Sequence, residues 1–261
     1  MQATLIKYRV EEDGIAYILL DAPEKRNALS DVLLDQLLAA FEVAKSDDSV
    51  RVVVLSSTHP RIFSSGGDLK AFASDIPVIV KYQGLDRYPR IFNIMRGLGK
   101  PVIGAANGDV IAGGFGLMLA CDLVIAKESI HFSCPEINVG VFPFMVSALM
   151  MRSVGRLNAN RLMMLGEAIS ACEAHNLGIA TWVVSDDAFD AEVLDLARRL
   201  ASKSPLLMRL GKDAIAATAD LGFGEALAAL QAQLALAIST EDVIEGVAAF
   251  RERRAPQWKF R

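Results

Sequence analysis

The sequence predicts an α/β fold in which strand, strand and helix repeat in a right-handed winding, closed by a helical C-terminal region. Three observations carry this. Short β-like runs alternate with helix-period segments from the N-terminus to about residue 142, the pattern of a sheet wrapped by helices and not of a bundle or a sandwich. One run, VRVVVLSS, is continuously β-branched or apolar, as expected of a strand covered on both faces. Beyond about residue 142 the chain becomes rich in alanine and leucine at helical spacing, so helices are expected to follow a completed sheet.

In chain order, IKYRVEEDGIAYILLDAP reads as two strands about a turn at Asp13-Gly14, the second apolar enough to be buried. In SDVLLDQLLAAFEVAKSDD, Leu33, Leu34, Leu37, Leu38 and Phe41 recur at helical spacing, and Ser30 with Asp31 supplies a cap and a favourable first-turn charge. The strand VRVVVLSS precedes a charged and aromatic segment, residues 69 to 98, which holds the helix candidate RYPRIFNIMRGLG. KPVIGAANGDVI reads as strand and turn, GFGLMLACD as a buried helix and LVIAKE as a further strand. FPFMVSALMMRSVG, LNANRLMMLG and SACEAHNLG are predicted helices, followed by a helical tract from Asp187 to Thr240 and a basic tail helix, EDVIEGVAAFRERR. Helices of this composition placed after a sheet usually form a lid or an oligomer surface.

Composition narrows the function classes. At 52% hydrophobic and 22% charged residues, with a net charge of −4, the 261-residue chain is a compact globular protein and not a disordered or basic nucleic-acid-binding one. No basic block points to DNA, RNA or an anionic membrane. MQATLIKYRVEEDG lacks the order of a signal peptide, and the longest apolar stretch, VFPFMVSALMM, is too short to span a bilayer, so a cytoplasmic location is expected. Cys121, Cys134 and Cys172 are odd in number and lack ligand spacing, and they read as reduced core residues. His59, His131 and His175 are scattered, and no metal is expected.

Two segments offer backbone donors. FSSGGDLKAF sets Gly66 and Gly67 directly after a strand, and IAGGFG repeats the device with Gly113 and Gly114. Glycine lets backbone approach a ligand closely, and free N–H groups at a helix start hold negative charge. Neither segment matches a phosphate-binding pattern, and each taken singly reads as well as turn geometry. A third segment, HFSCPEINVGVFP, sets Glu136 after a proline and before a glycine turn, at the mouth of the sheet; alone it is also compatible with a surface glutamate.

In order, LDAPEKRNALS, VRVVVLSSTHPRIFSSGGDLKAF, KPVIGAANGDVIAGGFGLMLACDLVIA, FSCPEINVGVFP and LGEAISACEAHNLGIATWVV resemble the successive signatures of the crotonase, or enoyl-CoA hydratase/isomerase, superfamily, and with EDVIEGVAAFRERRAP they cover nearly the whole chain. The resemblance implies a crotonase-like spiral core of ββα turns, assigned here to residues 1–195, and a C-terminal helical lid and trimerisation region, 196–261. It implies trimers or dimers of trimers and an acyl-CoA thioester substrate, with no separate cofactor because CoA is part of that substrate. By position, the oxyanion hole falls on the amides of Gly67 and Gly113, and CoA passes along Lys25, Arg26, Ala28, Ser65, Gly66, Asp68 and Leu69. Arg253 takes the place of a basic residue that reaches a neighbouring subunit's CoA phosphates, and Phe250 looks like part of the packing face of the tail helix. A thioester's α-proton becomes removable only if the enolate oxygen is stabilised, and one preorganised N–H donor is worth about 3 to 4 kcal/mol.

Members that hydrate an enoyl-CoA use two glutamates. Here the second falls on Glu136 and the first on Gly116, so the pair is incomplete. One carboxylate suffices to move a proton from one carbon to another, which favours double-bond isomerisation or another one-base reaction such as a retro-aldol or retro-Claisen cleavage. Hydration with a non-standard second acid, from Asp86, Tyr88 or Asp109, and a catalytically weak acyl-CoA-binding subunit are the alternatives. Arg87 lies in the same variable segment as Asp86 and Tyr88, and Asp109 also reads as a turn residue. Phe144, Met145 and Val146 replace a glycine-rich turn of many relatives and are read as core.

Overall fold

The structure, a computed structural model, describes residues 3–68 and 75–261. Strands β1 (Ile6–Val10) and β2 (Ile15–Leu20) form an antiparallel hairpin, with Gly14 at φ +78° in the predicted turn. β2 continues into a parallel series with β3 (Val52–Ser57), β5 (Val102–Ala106), β7 (Leu123–Lys127) and β10 (Trp182–Val184). A second, four-stranded sheet takes β4 (Ile62–Ser64), β6 (Asp109–Ile111), β8 (His131–Ser133) and β9 (Ala168–Ser170) in that order. The chain visits the two sheets alternately, β3 then β4, β5 then β6, β7 then β8. That alternation is the predicted ββα winding.

Helices close each turn of the winding: α1 (Asp31–Ser46) before β3, α2 (Val78–Leu85) and α3 (Arg87–Arg96) before β5, and α4 (Gly113–Leu119) before β7. The cap predicted for α1 is present, Ser30 accepting from the Leu33 N–H, and Leu33, Leu34, Leu37, Leu38 and Phe41 are all buried. VRVVVLSS is covered on both faces. Val53 and Leu55 enter the main core with the α1 leucines, whereas Val52 and Val54 pack with Phe189, Val193, Leu196 and Ala197 of α8 (Phe189–Ala201).

The sheets are not complete at residue 142. β9 adds antiparallel to β8 and β10 adds parallel to β7. Each has only three residues, too few to show alternation, and pairing with a preformed edge is what makes them strands. The remaining helices are α5 (Phe144–Ser153), α6 (Arg156–Leu165), α7 (Ala171–Asn176), α9 (Pro205–Thr218), α10 (Phe223–Ala237) and α11 (Glu241–Glu252). The boundary expected at residues 195 and 196 falls within α8, whose buried residues on both sides of it share one core. Of the residues read as core, Val146 and Cys134 are buried, but Phe144 is 70% exposed and Met145 and Cys172 are exposed. Phe250 is 84% exposed, because α11 turns Asp242 and Ala249 inward instead.

One buried side chain ties the loop after β2 to the two sheets. Asn27 is fully buried, at φ +50°. Its Oδ1 accepts from the Ala22 N–H at 2.8 Å, and its Nδ2 donates to Ser57 Oγ at 2.7 Å and to the Phe63 carbonyl at 2.9 Å. Its own carbonyl accepts from Ser64 Oγ at 2.8 Å. The loop is thereby stitched to the end of β3 and to β4. Asn27→Ala removes the amide and leaves buried partners unpaired, so it is expected to lower unfolding free energy by about 2 to 4 kcal/mol, read from urea denaturation.

Candidate active site

Strands β4, β6 and β8 are neighbours and run parallel. Their C-terminal ends therefore open on one side, and each releases one of the segments singled out in the sequence: Ser65–Asp68, Ala112–Gly113 and Cys134–Glu136. Backbone beyond such strand ends is freed from the ladder and available to ligand. The Ala112 N–H donates to the Ser133 carbonyl at 2.9 Å, joining the second and third segments.

The first two segments touch. A methyl group placed on Gly66 would lie 2.4 Å from Ala112 Cβ and 3.2 Å from the Gly113 nitrogen. Gly66 also has φ +86°, so only glycine meets both demands. Ala112 itself sits at φ +53° and ψ −122°, a strained conformation for alanine that sets the direction of the next amide. Gly113 is the first residue of α4, and neither its N–H nor that of Gly67 has a hydrogen-bond acceptor among the described residues. Gly114 serves close packing, since a methyl there would stand 2.8 Å from Ser64 Cβ.

The loop after β2 is laced to the same turn. Leu29 N–H donates to the Gly66 carbonyl at 2.8 Å, Ser65 N–H donates to the Arg26 carbonyl at 3.0 Å, and Leu29 forms a parallel bridge with Gly67. Arg26 and Asn27 take successive left-handed conformations, at φ +51° and +50°, which fold the loop back on itself. Lys25 and Arg26 are exposed, and Ala28, Ser65 and Asp68 are half-buried beside them. These positions are thus brought together. Leu69 lies outside the described residues, and Arg253 ends α11 in an exposed left-handed cap that these hydrogen bonds do not reach.

Glu136 stands in a 3₁₀ helix, Pro135–Val139, closed by Gly140 at φ +77°. The carboxylate is half-buried, and its Oε2 is sealed from solvent without a hydrogen-bond partner among the described residues. Burial raises its pKa, offset in part by its own backbone N–H. A polar atom held in this way is costly to the fold unless a ligand uses it.

At the other family position, Gly116 is buried in α4. A methyl there would meet Phe92 Cζ at 3.0 Å and Val146 Cγ2 at 3.3 Å. The ring of Phe92 therefore crowds the space in which a side chain from position 116 would begin. One helical turn earlier, Tyr88 packs against Gly113: a methyl on that glycine would lie 3.3 Å from Tyr88 Cε1 and 3.4 Å from its Oη. Phe92 also lines a cleft of about 1220 Å³ together with Phe144, Met145, Leu149, Met208 and Phe250. None of Gly67, Gly113 or Glu136 lines that cleft.

Two of the other polar candidates have structural partners. Asp109 Oδ1 accepts from the His131 N–H at 2.8 Å, holding β6 to β8, and Arg87 pairs with Asp31 and Asp35 of α1. Asp86 caps no helix end with its side chain. Sequence reasoning missed Asn27 and Phe92: the first is hidden because NAL looks like an ordinary loop, the second because it reads only as one apolar position on a helix.

The orphan carboxylate makes a stability prediction. The folded protein binds a proton at Glu136 more tightly than the unfolded chain does, so stability falls as pH rises through the interval between the two pKa values. Glu136→Gln is expected to raise the melting temperature at pH 7, and the gain should close below about pH 4, where the carboxyl is protonated in both states.

Comparison with known proteins identifies the family. The family model described as enoyl-CoA hydratase/isomerase matches residues 10–261. The chain is 32% identical over 252 residues to 2,3-dehydroadipyl-CoA hydratase of Escherichia coli, covering 96% of this chain and 97% of that one. Among solved structures, an enoyl-CoA hydratase of Mycobacterium smegmatis superposes with a TM-score of 0.94 at 30% identity, covering 98% of this chain and 99% of that one. Human enoyl coenzyme A hydratase domain-containing protein 3 superposes equally, with a TM-score of 0.94 at 29% identity, covering 98% and 100%. With its alternating ββα winding and matching residues over nearly all its length, the chain belongs to the enoyl-CoA hydratase/isomerase family, within the crotonase superfamily.

Proposed function

We propose that this enzyme uses Glu136 as its single acid/base on an acyl-CoA thioester, and that its reaction is double-bond isomerisation or another one-base reaction. The observation that carries this reading is the contrast between two positions: a half-buried carboxylate at Glu136 with one oxygen unpartnered among the described residues, and a ring of Phe92 crowding the start of any side chain at position 116. Glu136 removes a proton from C2 of a 3-enoyl-CoA, the charge moves onto the thioester oxygen as a dienolate, and the same carboxyl returns the proton to C4. The amides of Gly67 and Gly113 hold the oxygen, each worth about 3 to 4 kcal/mol. The CoA portion runs over Lys25, Arg26, Ala28, Ser65, Gly66, Asp68 and Leu69, and the exposed lysine and arginine are suited to its phosphates.

Assembly is part of the proposal. Phe223, Leu227 and Leu234 of α10 are more than half exposed, as is Phe250 of α11, a surface too apolar to be left in water. We assign residues 196–261 to trimerisation and lid, with Arg253 of one subunit serving a neighbour's CoA, in a cytoplasmic homotrimer or dimer of trimers. Hydration is the second reading. It is favoured by the hydratase names of the relatives and would need a second acid.

In deuterated water, the protein is expected to exchange C2 and C4 hydrogens of a 3-enoyl-CoA and release the 2-enoyl isomer without 3-hydroxyacyl-CoA. Glu136→Gln should lower that rate by about 10²- to 10⁴-fold, and kcat/KM should fall on the acid side with an apparent pKa above the ordinary glutamate value of about 4.3. Efficient hydration by the parent protein would overturn the one-base reading. Restoring the absent group is a second test. Gly116→Glu alone is expected to destabilise by about 1 to 3 kcal/mol through overpacking, whereas Gly116→Glu with Phe92→Ala should fold and gain hydration product roughly 10-fold or more over the parent.

A further inference from the structure

The family positions leave one polar group of the site without a task. Tyr88 is only 8% exposed, on the first turn of α3, with Phe92 one turn further along the same face and ring centroids 6.3 Å apart. Its hydroxyl has no hydrogen bond among the described residues, the oxygen is not fully sealed from solvent, and it stands close to Gly113. A buried phenol without a partner is costlier than phenylalanine at the same place. Burial, with the charges of Asp31 and Glu136 adding to it, pushes the phenol well above its ordinary pKa. It is therefore neutral at working pH, a hydrogen-bond donor and not a base.

We propose that Tyr88 is a catalytic residue whose hydroxyl donates a third hydrogen bond to the thioester oxygen, alongside the amides of Gly67 and Gly113. This rests on the proposed thioester chemistry. The acceptor is assigned by position: the hydroxyl stands 3.4 Å from where a methyl on Gly113 would be, and the thioester oxygen is the acceptor that the chemistry brings to Gly113. Asp31, whose field the phenol also feels, is turned to Arg87 and competes for no proton here. No proton transfer by Tyr88 is involved. The bond strengthens as negative charge builds on the oxygen, which adds to the enolate's stabilisation where the second carboxylate is missing.

Tyr88→Phe keeps the ring, its contact with Phe92 and its packing on Gly113, and its melting temperature is expected to match or exceed the parent's. With the full-length protein and a saturated acyl-CoA in deuterated water, kcat for C2 exchange should fall roughly 10- to 100-fold, somewhat less than loss of a primary donor, while KM changes by less than about 3-fold. A conjugated dienoyl-CoA bound to the parent protein should absorb at longer wavelength than in solution, because hydrogen bonds polarise its carbonyl, and Tyr88→Phe should reduce that shift. Exchange within 2-fold of the parent together with an unchanged shift would overturn the assignment, as would a loss confined to hydration with exchange and shift intact. If the parent binds the dienoyl-CoA with a Tyr88-dependent shift but catalyses no Glu136-dependent exchange, the one-base reading fails and the Tyr88 contact stands.

Discussion

The site depends first on the buried amide of Asn27. A loop that must turn back on itself through two successive left-handed residues is poorly determined by its own backbone, and Asn27 determines it from outside by bonding to Ala22, Ser57 and Phe63 at once. That places Leu29 where its N–H can take the Gly66 carbonyl, and the glycine turn is then held between the loop and Ala112. Among the described residues, the amides of Gly67 and Gly113 are left without acceptors. Their neighbours are held by hydrogen bonds of other residues, which is what the role proposed for the two amides requires.

Around this rigid backbone the side chains divide into spent and unspent polar groups. Asp109, Arg87 and Asn27 have their hydrogen bonds and ion pairs within the protein. Among the described residues, Glu136 Oε2 has no hydrogen-bond partner and the Tyr88 hydroxyl makes no hydrogen bond; both groups sit where burial opposes ionisation, so carboxyl and phenol are biased toward their neutral forms. For the glutamate that bias makes a stronger base once it is ionised, and it destabilises the fold at neutral pH. Stability given up at a site is a common accompaniment of reactivity. Phe92 has the opposite character: its apolar ring packs tightly next to Gly116 and, with Val146, crowds any side chain that would begin there.

Much of the framework was legible in the chain. The burial of VRVVVLSS on two faces, the cap and apolar stripe of α1 and the hairpin at Gly14 each follow from short-range pattern, because a strand or helix displays its own period. β9 and β10 were not legible: three residues carry no period, and their pairing energy comes from edges formed by distant residues. Phe144 and Phe250 were read as packed and are exposed, since apolar character alone does not say whether the partner surface lies in the same chain.

By itself the sequence determined the family, the glycine turns and the residue types at two positions, glutamate at 136 and glycine at 116, because each of these is a matter of residue type at a position along the chain. Only the tertiary structure decided that β4, β6 and β8 lie side by side and so bring three distant segments to one opening. It also decided that Phe92 occupies the place beside Gly116, that Tyr88 stands beside Gly113 and that Asp109 is engaged elsewhere. Those are relations across tens of residues, set by which surfaces the winding presses together, and no local pattern in the chain encodes them.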